Sequence, residues 1–533
     1  MGWTATVPED RLQEGRPVVA RCGSRQIALL LREGRLHAFD NRCPHEGFPL
    51  SEGVLSRGAN GACVLTCNWH NWKFDLNGGE TLVGGDRLRR YPVRVADGKV
   101  WLDPSDPPAE ERAAAALAAL AESFPDHETD RMAREIARLS RAGRDPLEAL
   151  RATIGWTHDR LEFGTTHAYA AAADWLALRT WKAGDDPVLN LSPLVEVVGH
   201  MAWDTLRHRA YPYAPGRAPY TPEALAAAIE AEDEAAACAQ ARGALAAGCS
   251  YADLEGTLAS CALAHYADFG HSAIYTLKTG QLIERLGPEV TEPLLLALVR
   301  SLIYATREDL IPEFKDYGRV LAAWPEAEGV GTGPARPRAE DFIGLGVRGA
   351  LDRCLDFAGD RQGLYDALLG AVAWNLLHFD RAVEARNDVS VSDNVGWLDF
   401  THGITFANAV RRLCTRYPAL WPQGLLQMAC FIGRNAAYVD KDLDGALWRV
   451  EDAEAFFDAT AMGLFDHGQF EYIVAAHQLK TFMAAREEVL NAPEAPWVTN
   501  VLAGVNRLLK SPIKRRFGLR IAHQSLDFVA RED

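Results

Sequence analysis

One arrangement of residues recurs four times along the chain and constrains the fold more than any other feature. In each copy a helix-like run ends near a His, an acidic residue follows, a second His opens another helix-like run, and a Pro precedes a third. Apolar residues keep helical spacing after residue 110, and no stretch there alternates as a strand does. Repetition of this kind is typical of stacked helical units. The sequence therefore predicts a large all-α domain built from about four pseudo-repeated helical hairpins.

The polar residues of these copies are candidate metal ligands. Imidazole and carboxylate together suit first-row metals, and two His with one carboxylate hold the iron of many non-haem oxygenases. A His at a helix end can equally be a capping group, so the structural interpretation stays open. The candidates are His158, Glu162 and His167 in the first copy, His265, Asp268 and His271 in the second, His378 and His402 in the third, and His467, Glu471 and His477 in the fourth. We predict that some of them bind one or two non-haem irons.

The N-terminal region follows a different pattern. Short runs of β-forming residues separated by Gly-containing turns predict an all-β domain over residues 1–104. Within it, Cys43-Pro44-His45 and Cys67-Asn68-Trp69-His70 each supply one thiolate and one imidazole. Such a set suits either a structural zinc ion or a [2Fe-2S] cluster in which two Cys bind one iron and two His the other.

The segments AFDNRCPHEGFPLSEG and LTCNWHNWKFDLNGGE resemble the Rieske [2Fe-2S] family over residues 5–103. This resemblance implies that Cys43 and Cys67 bind one iron, that His45 and His70 bind the other, and that both loops lie at the tip of a small β-sandwich. High-potential members carry an extra pair of Cys, where this chain has Phe48 and Asn71, which implies a potential at the lower end of the Rieske range. The DFTHGITF-type segments resemble questin-oxidase-like helical oxygenases, a likeness from which no residue is transferred.

Composition and charge argue against several other classes of protein. With 56 Lys and Arg against 72 Asp and Glu, the net charge of −16 argues against a nucleic-acid partner. Ten Cys are too few for a disulfide scaffold, and neither a leader nor a membrane-spanning run is recognised, so a cytoplasmic location is expected. The acidic, Pro-rich stretch DPSDPPAEE predicts a linker. The expected domains are therefore 1–104 (Rieske), 105–125 (linker) and 126–533 (helical and catalytic).

These features together predict an oxidoreductase. A Rieske cluster transfers single electrons, so the fused helical domain is expected to use them, with a non-haem iron that activates O2 against a small organic substrate. A separate reductase or ferredoxin would donate the electrons, because neither a flavin nor a nicotinamide site is recognised. Two alternatives remain: an electron-transfer protein whose helices form a partner-docking scaffold without a second metal, and a reductase whose helical domain holds another redox group.

Overall fold

The computed structural model describes residues 2–58, 61–205, 208–325, 336–513 and 517–531. The chain forms two compact units, Met1–Ala149 and Leu150–Asp533. The first contains all strands of the described residues, and the second is helical. The predicted fold class, a small β domain followed by a large helical one, is confirmed. No helix in the described ranges combines the length and the apolarity that crossing a membrane requires.

The β part of the first unit consists of three antiparallel sheets. Their strand orders are β1-β10-β9, β2-β3-β4 and β5-β6-β7-β8. Two apolar cores fill this part, and one of them surrounds Cys43 and Cys67 with Leu50, Leu65 and Phe74. The elements of this unit are β1 Thr4–Pro8, β2 Val18–Cys22, β3 Arg25–Arg32, β4 Arg35–Asp40, β5 Val54–Arg57, β6 Cys63–Thr66, β7 Lys73–Asp75, β8 Thr81–Val83, β9 Val93–Ala96, β10 Lys99–Leu102, α1 Ala109–Ser123 and α2 Thr129–Arg141.

The segment predicted as a linker is mostly helical, and the predicted domain division stays a prediction. Helix α1 occupies most of the segment predicted as linker, and α1 and α2 pair with each other inside the first unit. The attachment of α2 is ionic, because Asp86, only 2% exposed, contacts Arg131 at 3.1 Å and Arg134 at 2.8 Å. Burying a carboxylate is tolerated only when it is paired in this way. The compositional change at residue 104 therefore marks the end of the sheets and not the end of the unit.

The second unit is built from helices of 5 to 20 residues. The unit boundary falls in the first turn of α3. The helices are α3 Leu147–Thr157, α4 His167–Lys182, α5 Pro187–Thr205, α6 Pro222–Glu230, α7 Glu234–Ala246, α8 Tyr251–Ala264, α9 His271–Leu286, α10 Thr291–Tyr304, α11 Asp316–Ala322, α12 Val347–Asp356, α13 Arg361–Leu377, α14 Arg381–Ala385, α15 Trp397–Arg416, α16 Trp421–Asn435, α17 Ala453–Leu464, α18 Tyr472–Asn491, α19 Val498–Lys510 and α20 Gly518–Val529.

Four of these helices, α4, α9, α15 and α18, form an inner ring. Each packs against the next, and α18 closes the ring on α4. Each is backed by the helix that follows it in the chain, α5, α10, α16 and α19 respectively. The helix pairs therefore follow the predicted order, although Pro193 lies inside α5, which begins six residues earlier at Pro187. Internal duplication itself stays a prediction.

The inner helices run in the same direction. The second His of each predicted copy lies in the first or second turn of its inner helix. Two turns further along, Lys278 of α9 donates a hydrogen bond to Asp174 of α4. Likewise Glu488, late in α18, accepts hydrogen bonds from Asn408 and Arg411, late in α15. Helices that contact each other near their starts therefore also contact each other near their ends, as parallel helices do. The four N-terminal ends therefore meet at one end of the ring.

Candidate metal centres

The first centre lies on two loops of the β part that have the same backbone geometry. In the first loop, the Cys43 N–H donates to the Phe48 carbonyl at 2.8 Å, and the Cys43 carbonyl accepts from Gly47 N–H at 2.8 Å. Gly47 has a φ of +81°, a conformation that glycine adopts without strain. This tight turn directs the thiol inward and leaves His45 nearer the surface.

The second loop repeats the same pattern. The Cys67 N–H donates to the Trp72 carbonyl at 2.8 Å, and its carbonyl accepts from Asn71 N–H at 3.0 Å. Asn71 takes the left-handed position with a φ of +62°, which asparagine tolerates better than most residues. Two matched turns therefore bring one Cys and one His each to the same tip.

The donor atoms divide into a buried sulfur pair and a more exposed nitrogen pair. Cys43 and Cys67 are 3% and 2% exposed, whereas the imidazoles of His45 and His70 lie 4.5 Å apart and retain 28% and 41% of their side-chain exposure. Burial raises the pKa of Cys43 to about 11, the neighbouring Cys67 thiol adds to the rise, and the His45 N–H bonded to the Cys43 sulfur opposes it. Two buried thiols beside two exposed imidazoles fit a cluster with one iron on each pair.

The second centre is a ring of four imidazoles at the N-terminal ends of the inner helices. The Nε2 atoms of His167 and His271 are 3.0 Å apart, those of His271 and His402 2.9 Å, and those of His402 and His477 3.2 Å. Ring centroids of neighbours are 4.5 to 4.9 Å apart around the cycle, and the diagonal from His167 to His402 is 6.2 Å. Each inner helix thus contributes one corner of a near-square.

Hydrogen bonds alone cannot satisfy these contacts. A neutral imidazole nitrogen either donates one proton or accepts with one lone pair. His271 and His402 each contact two other Nε2 atoms. At most two of the three contacts can therefore be N–H···N bonds. A cation would satisfy all four lone pairs at once, and all four Nε2 atoms lie within 4.8 Å of one another.

The opposite nitrogens of these rings differ in their contacts. His477 Nδ1 donates to the Ile473 carbonyl at 2.6 Å, and His167 Nδ1 is 3.4 Å from the Tyr275 hydroxyl. His271 Nδ1 lies 3.4 Å from Asp268 Oδ2 without a hydrogen bond, and His402 Nδ1 has no hydrogen-bond partner among the described residues. A proton held on Nδ1 leaves the Nε2 lone pair free, which is the usual state of a metal-binding His. The contact with Ile473 therefore orients the His477 ring as a ligand.

Burial keeps the imidazoles of His167 and His402 neutral. Desolvation lowers the pKa of His167 well below its ordinary value, and the positive charge of Lys480 lowers it further. Desolvation likewise lowers the pKa of His402, together with its His neighbours, while the Leu398 carbonyl opposes the shift. Neutral imidazole is the form that binds metals.

A strained turn covers one side of the ring. Three consecutive residues, Asp268, Phe269 and Gly270, have φ values of +48°, +52° and +76°. This turn places the Phe269 ring 6.1 Å from that of His402, and the Glu308 carboxylate accepts the Phe269 N–H at 3.2 Å. Left-handed non-glycine residues persist only where the surroundings hold them, and they cluster at functional sites.

The remaining predicted ligands lie elsewhere and have other contacts. His158 contacts the Gly155 carbonyl, His265 lies between Asp309 and Glu230, and His378 contacts the Trp374 carbonyl and stacks on its ring. His467 faces Glu196, Glu162 accepts from the Tyr211 hydroxyl, and Glu471 precedes α18 as its N-cap. Asp268 reaches the ring only through Nδ1 of His271. The structure therefore brings together the second His of every copy and no carboxylate oxygen.

Sequence reasoning missed three buried charges beneath the ring. Asp174 and Lys278 follow His167 and His271 by seven residues and pair at 2.7 Å, and Lys480 follows His477 by three. All three are at most 5% exposed. Burial lowers the pKa of Lys480 to about 7, and Asp174 opposes that shift. Charged residues at apolar positions of the inner helices were the signal available in the sequence.

Comparison with known proteins identifies the first centre. Residues 2–90 match the Rieske [2Fe-2S] domain family. The chain is 35% identical over 117 residues to the 4beta-methylsterol monooxygenase of Methylococcus capsulatus, covering 20% of this chain and 30% of that protein. It is 33% identical over 105 residues to the ferredoxin component of the alkene monooxygenase system of Xanthobacter autotrophicus, covering 20% and 83% respectively. The ferredoxin of carbazole 1,9a-dioxygenase from Nocardioides aromaticivorans aligns with 20% of the chain at 21% identity and a TM-score of 0.18.

The paired loops and their donor set define an iron–sulfur electron-transfer domain. The N-terminal part of the chain belongs to the Rieske [2Fe-2S] domain family, as its sequence predicted.

Proposed function

We propose that this chain is a Rieske-dependent oxygenase or oxidase whose second redox centre is a single iron bound by His167, His271, His402 and His477. The observation that carries the proposal is the ring of four Nε2 atoms. In this proposal the N-terminal cluster receives electrons from a separate reductase or ferredoxin and supplies them to the helical centre. The substrates are O2 and a small organic molecule.

The spacing of the nitrogens fits one ion bound by all four imidazoles. With metal–nitrogen bonds of about 2.0–2.1 Å, nitrogens that share one ion lie about 2.9–3.3 Å apart. The three Nε2 distances of the ring are 2.9 to 3.2 Å. His167, His271, His402 and His477 would therefore hold the ion together.

The chain's own residues would prepare this centre for redox chemistry. Bound iron would supply a one-electron redox centre able to reduce O2, a capacity that zinc lacks. The hydrogen bond of His477 Nδ1 to the Ile473 carbonyl holds that ring in orientation, and the buried helices exclude bulk water. Phe269 shields the His402 side of the ring. These features would keep reduced oxygen species inside the protein.

Metal analysis of the full-length protein tests the proposal. We expect two irons for the cluster and about one more for the helical unit. His402→Ala should remove the additional iron and leave the Rieske absorption and its two irons unchanged, because the two ligand sets share no residue. His265→Ala is the matched control, since His265 is a helical-unit His bound to carboxylates outside the ring.

Two results of the metal analysis would contradict the proposal. Protein that reduces O2 at full rate with only the two cluster irons would overturn the second centre and favour the electron-transfer scaffold. Zinc in place of the third iron would also contradict the proposal, because zinc cannot accept an electron.

A further inference from the structure

Lys480 is a deeply buried lysine of α18. It is 1% exposed, and its Nζ makes no hydrogen bond within the described part of the chain. Lys278, by contrast, is paired with Asp174 at 2.7 Å. Burying an unpaired ammonium group is costly, and such a residue inside a core needs another explanation than stability.

Helix geometry places Lys480 one turn from the imidazole ring. Lys480 lies three residues after His477 on α18, about 4.5 Å further along the helix axis. Side chains of α-helices lean towards the helix N-terminus, and on α18 that is the end where the imidazoles meet. The charge of Lys480 also depresses the pKa of both His167 and His402, on the neighbouring helices. Lys480 therefore lies next to the inner face of the ring.

The inner face of the ring offers hydrogen-bond donors that no described acceptor uses. Four neutral imidazoles would not compensate the charge of a bound metal, and the Lys480 Nζ has no hydrogen-bond partner among the described residues. Asp174 accepts a hydrogen bond from Lys278 through Oδ1, and it opposes the lowering of the Lys480 pKa without a hydrogen bond to Nζ. A small anion bound to the metal could therefore accept a hydrogen bond from Lys480.

We propose that Lys480 and the metal bound by the four-His ring together form a receptor for a small anion on the inner face of the ring. The ligand class is a monovalent anion of two or three atoms, which includes singly reduced dioxygen. The inference rests on the proposed metal centre and adds to it the group that recognises the anion. It assigns Lys480 as a binding residue and not as a packing residue.

Azide titration of the metal-loaded, full-length protein tests this receptor. Azide should perturb the electron paramagnetic resonance signal of the helical metal in oxidised protein, in which the [2Fe-2S] cluster is silent. Lys480→Met keeps the side-chain length and removes the charge, and should weaken azide binding about ten- to a hundredfold. Nitric oxide, a neutral ligand, should bind the variant as tightly as it binds the wild type.

Two controls keep the test interpretable. Lys182→Met removes the same charge from the far end of α4, where Lys182 pairs with Asp458, and should leave azide affinity unchanged. Lys480→Gln replaces Lys480→Met if the latter does not fold. Unchanged azide affinity in a metal-loaded Lys480 variant, or equal loss of azide and nitric oxide binding, overturns the anion receptor. Absence of the helical metal from wild-type protein overturns the proposed function instead.

Discussion

At the scale of single residues, the position of the imidazole ring depends on the backbone next to its His residues as well as on the His side chains. Gly270 directly precedes His271 and has a φ of +76°. A Cβ at this position would lie 2.5 Å from the Phe406 ring and 3.1 Å from the Phe431 ring. Only glycine therefore allows α9 to begin where its imidazole joins the ring.

Gly270→Ala should destabilise the helical unit by about 2–4 kcal/mol, because backbone strain and overpacking add at this position. Urea unfolding followed by far-ultraviolet circular dichroism measures the change. Gly463→Ala is the control, since Gly463 is exposed, helical and has open space around it. That substitution should be neutral or slightly stabilising, and an equal loss in both variants would contradict the steric explanation.

Residue spacing predicted the set of His but not which of each pair would converge. In the second copy His265 and His271 flank the same short turn, so helical periodicity does not distinguish between them. The structure separates them by direction: His271 begins an inner helix, whereas His265 ends the preceding helix and meets Asp309 and Glu230. Which end of a turn faces the centre is fixed by packing between helices far apart in the sequence.

At the scale of elements, α2 shows how a helix can be attached to a β domain through charged residues. Its Arg131 and Glu135 are buried at 6% and 1% exposure. Asp86, which follows the last strand of its sheet, neutralises Arg131 and Arg134. The sequence of α2 does not show that Asp86 is its partner, because Asp86 comes close to α2 only in the folded β part. The composition of α2 alone gave no reason to group it with the strands.

Glu135 gives this attachment a pH dependence. Burial raises its pKa from 4.5 to about 7, against the opposing effect of Arg138. The folded protein then holds more protons than the unfolded chain between about pH 4.5 and 7, so this group's contribution to the free energy of unfolding declines as pH rises through that window. Glu135→Gln should flatten the decline.

Urea unfolding at several pH values, followed by loss of the cluster's visible absorption, measures this effect. Glu111→Gln, at an exposed position of α1, is the control and should reproduce the wild-type slope. Parallel pH profiles for the wild type and Glu135→Gln would show that Glu135 does not titrate in this window.

At the scale of the whole molecule, the chain joins a Rieske electron-transfer domain to a helical unit. The Rieske loops were predictable because both carry their complete donor set in short sequence motifs. The all-helical class of the second unit followed from periodicity. The four-imidazole ring could not be predicted from periodicity, because its four His come together only through the packing of α4, α9, α15 and α18.

The direction of electron flow depends on the cluster potential. All ten cysteines are free, so the two cluster loops are not joined by a disulfide of the kind that high-potential members carry. We therefore expect a midpoint near the lower end of the Rieske range, about −150 mV. Spectroelectrochemical titration measures it, and His402→Ala should give the same value. A midpoint above about +100 mV would contradict the assignment to the low-potential type.

The two centres differ in when a growing chain could acquire them. The Rieske donors lie between Cys43 and His70, so the first unit is complete early in synthesis. The imidazole ring draws its corners from positions 167, 271, 402 and 477. His477 is therefore made long after the cluster loops, and an ion held by all four His could bind only after residue 477 has been synthesised. A chain terminated between residues 149 and 477 would contain the Rieske part without a complete imidazole ring.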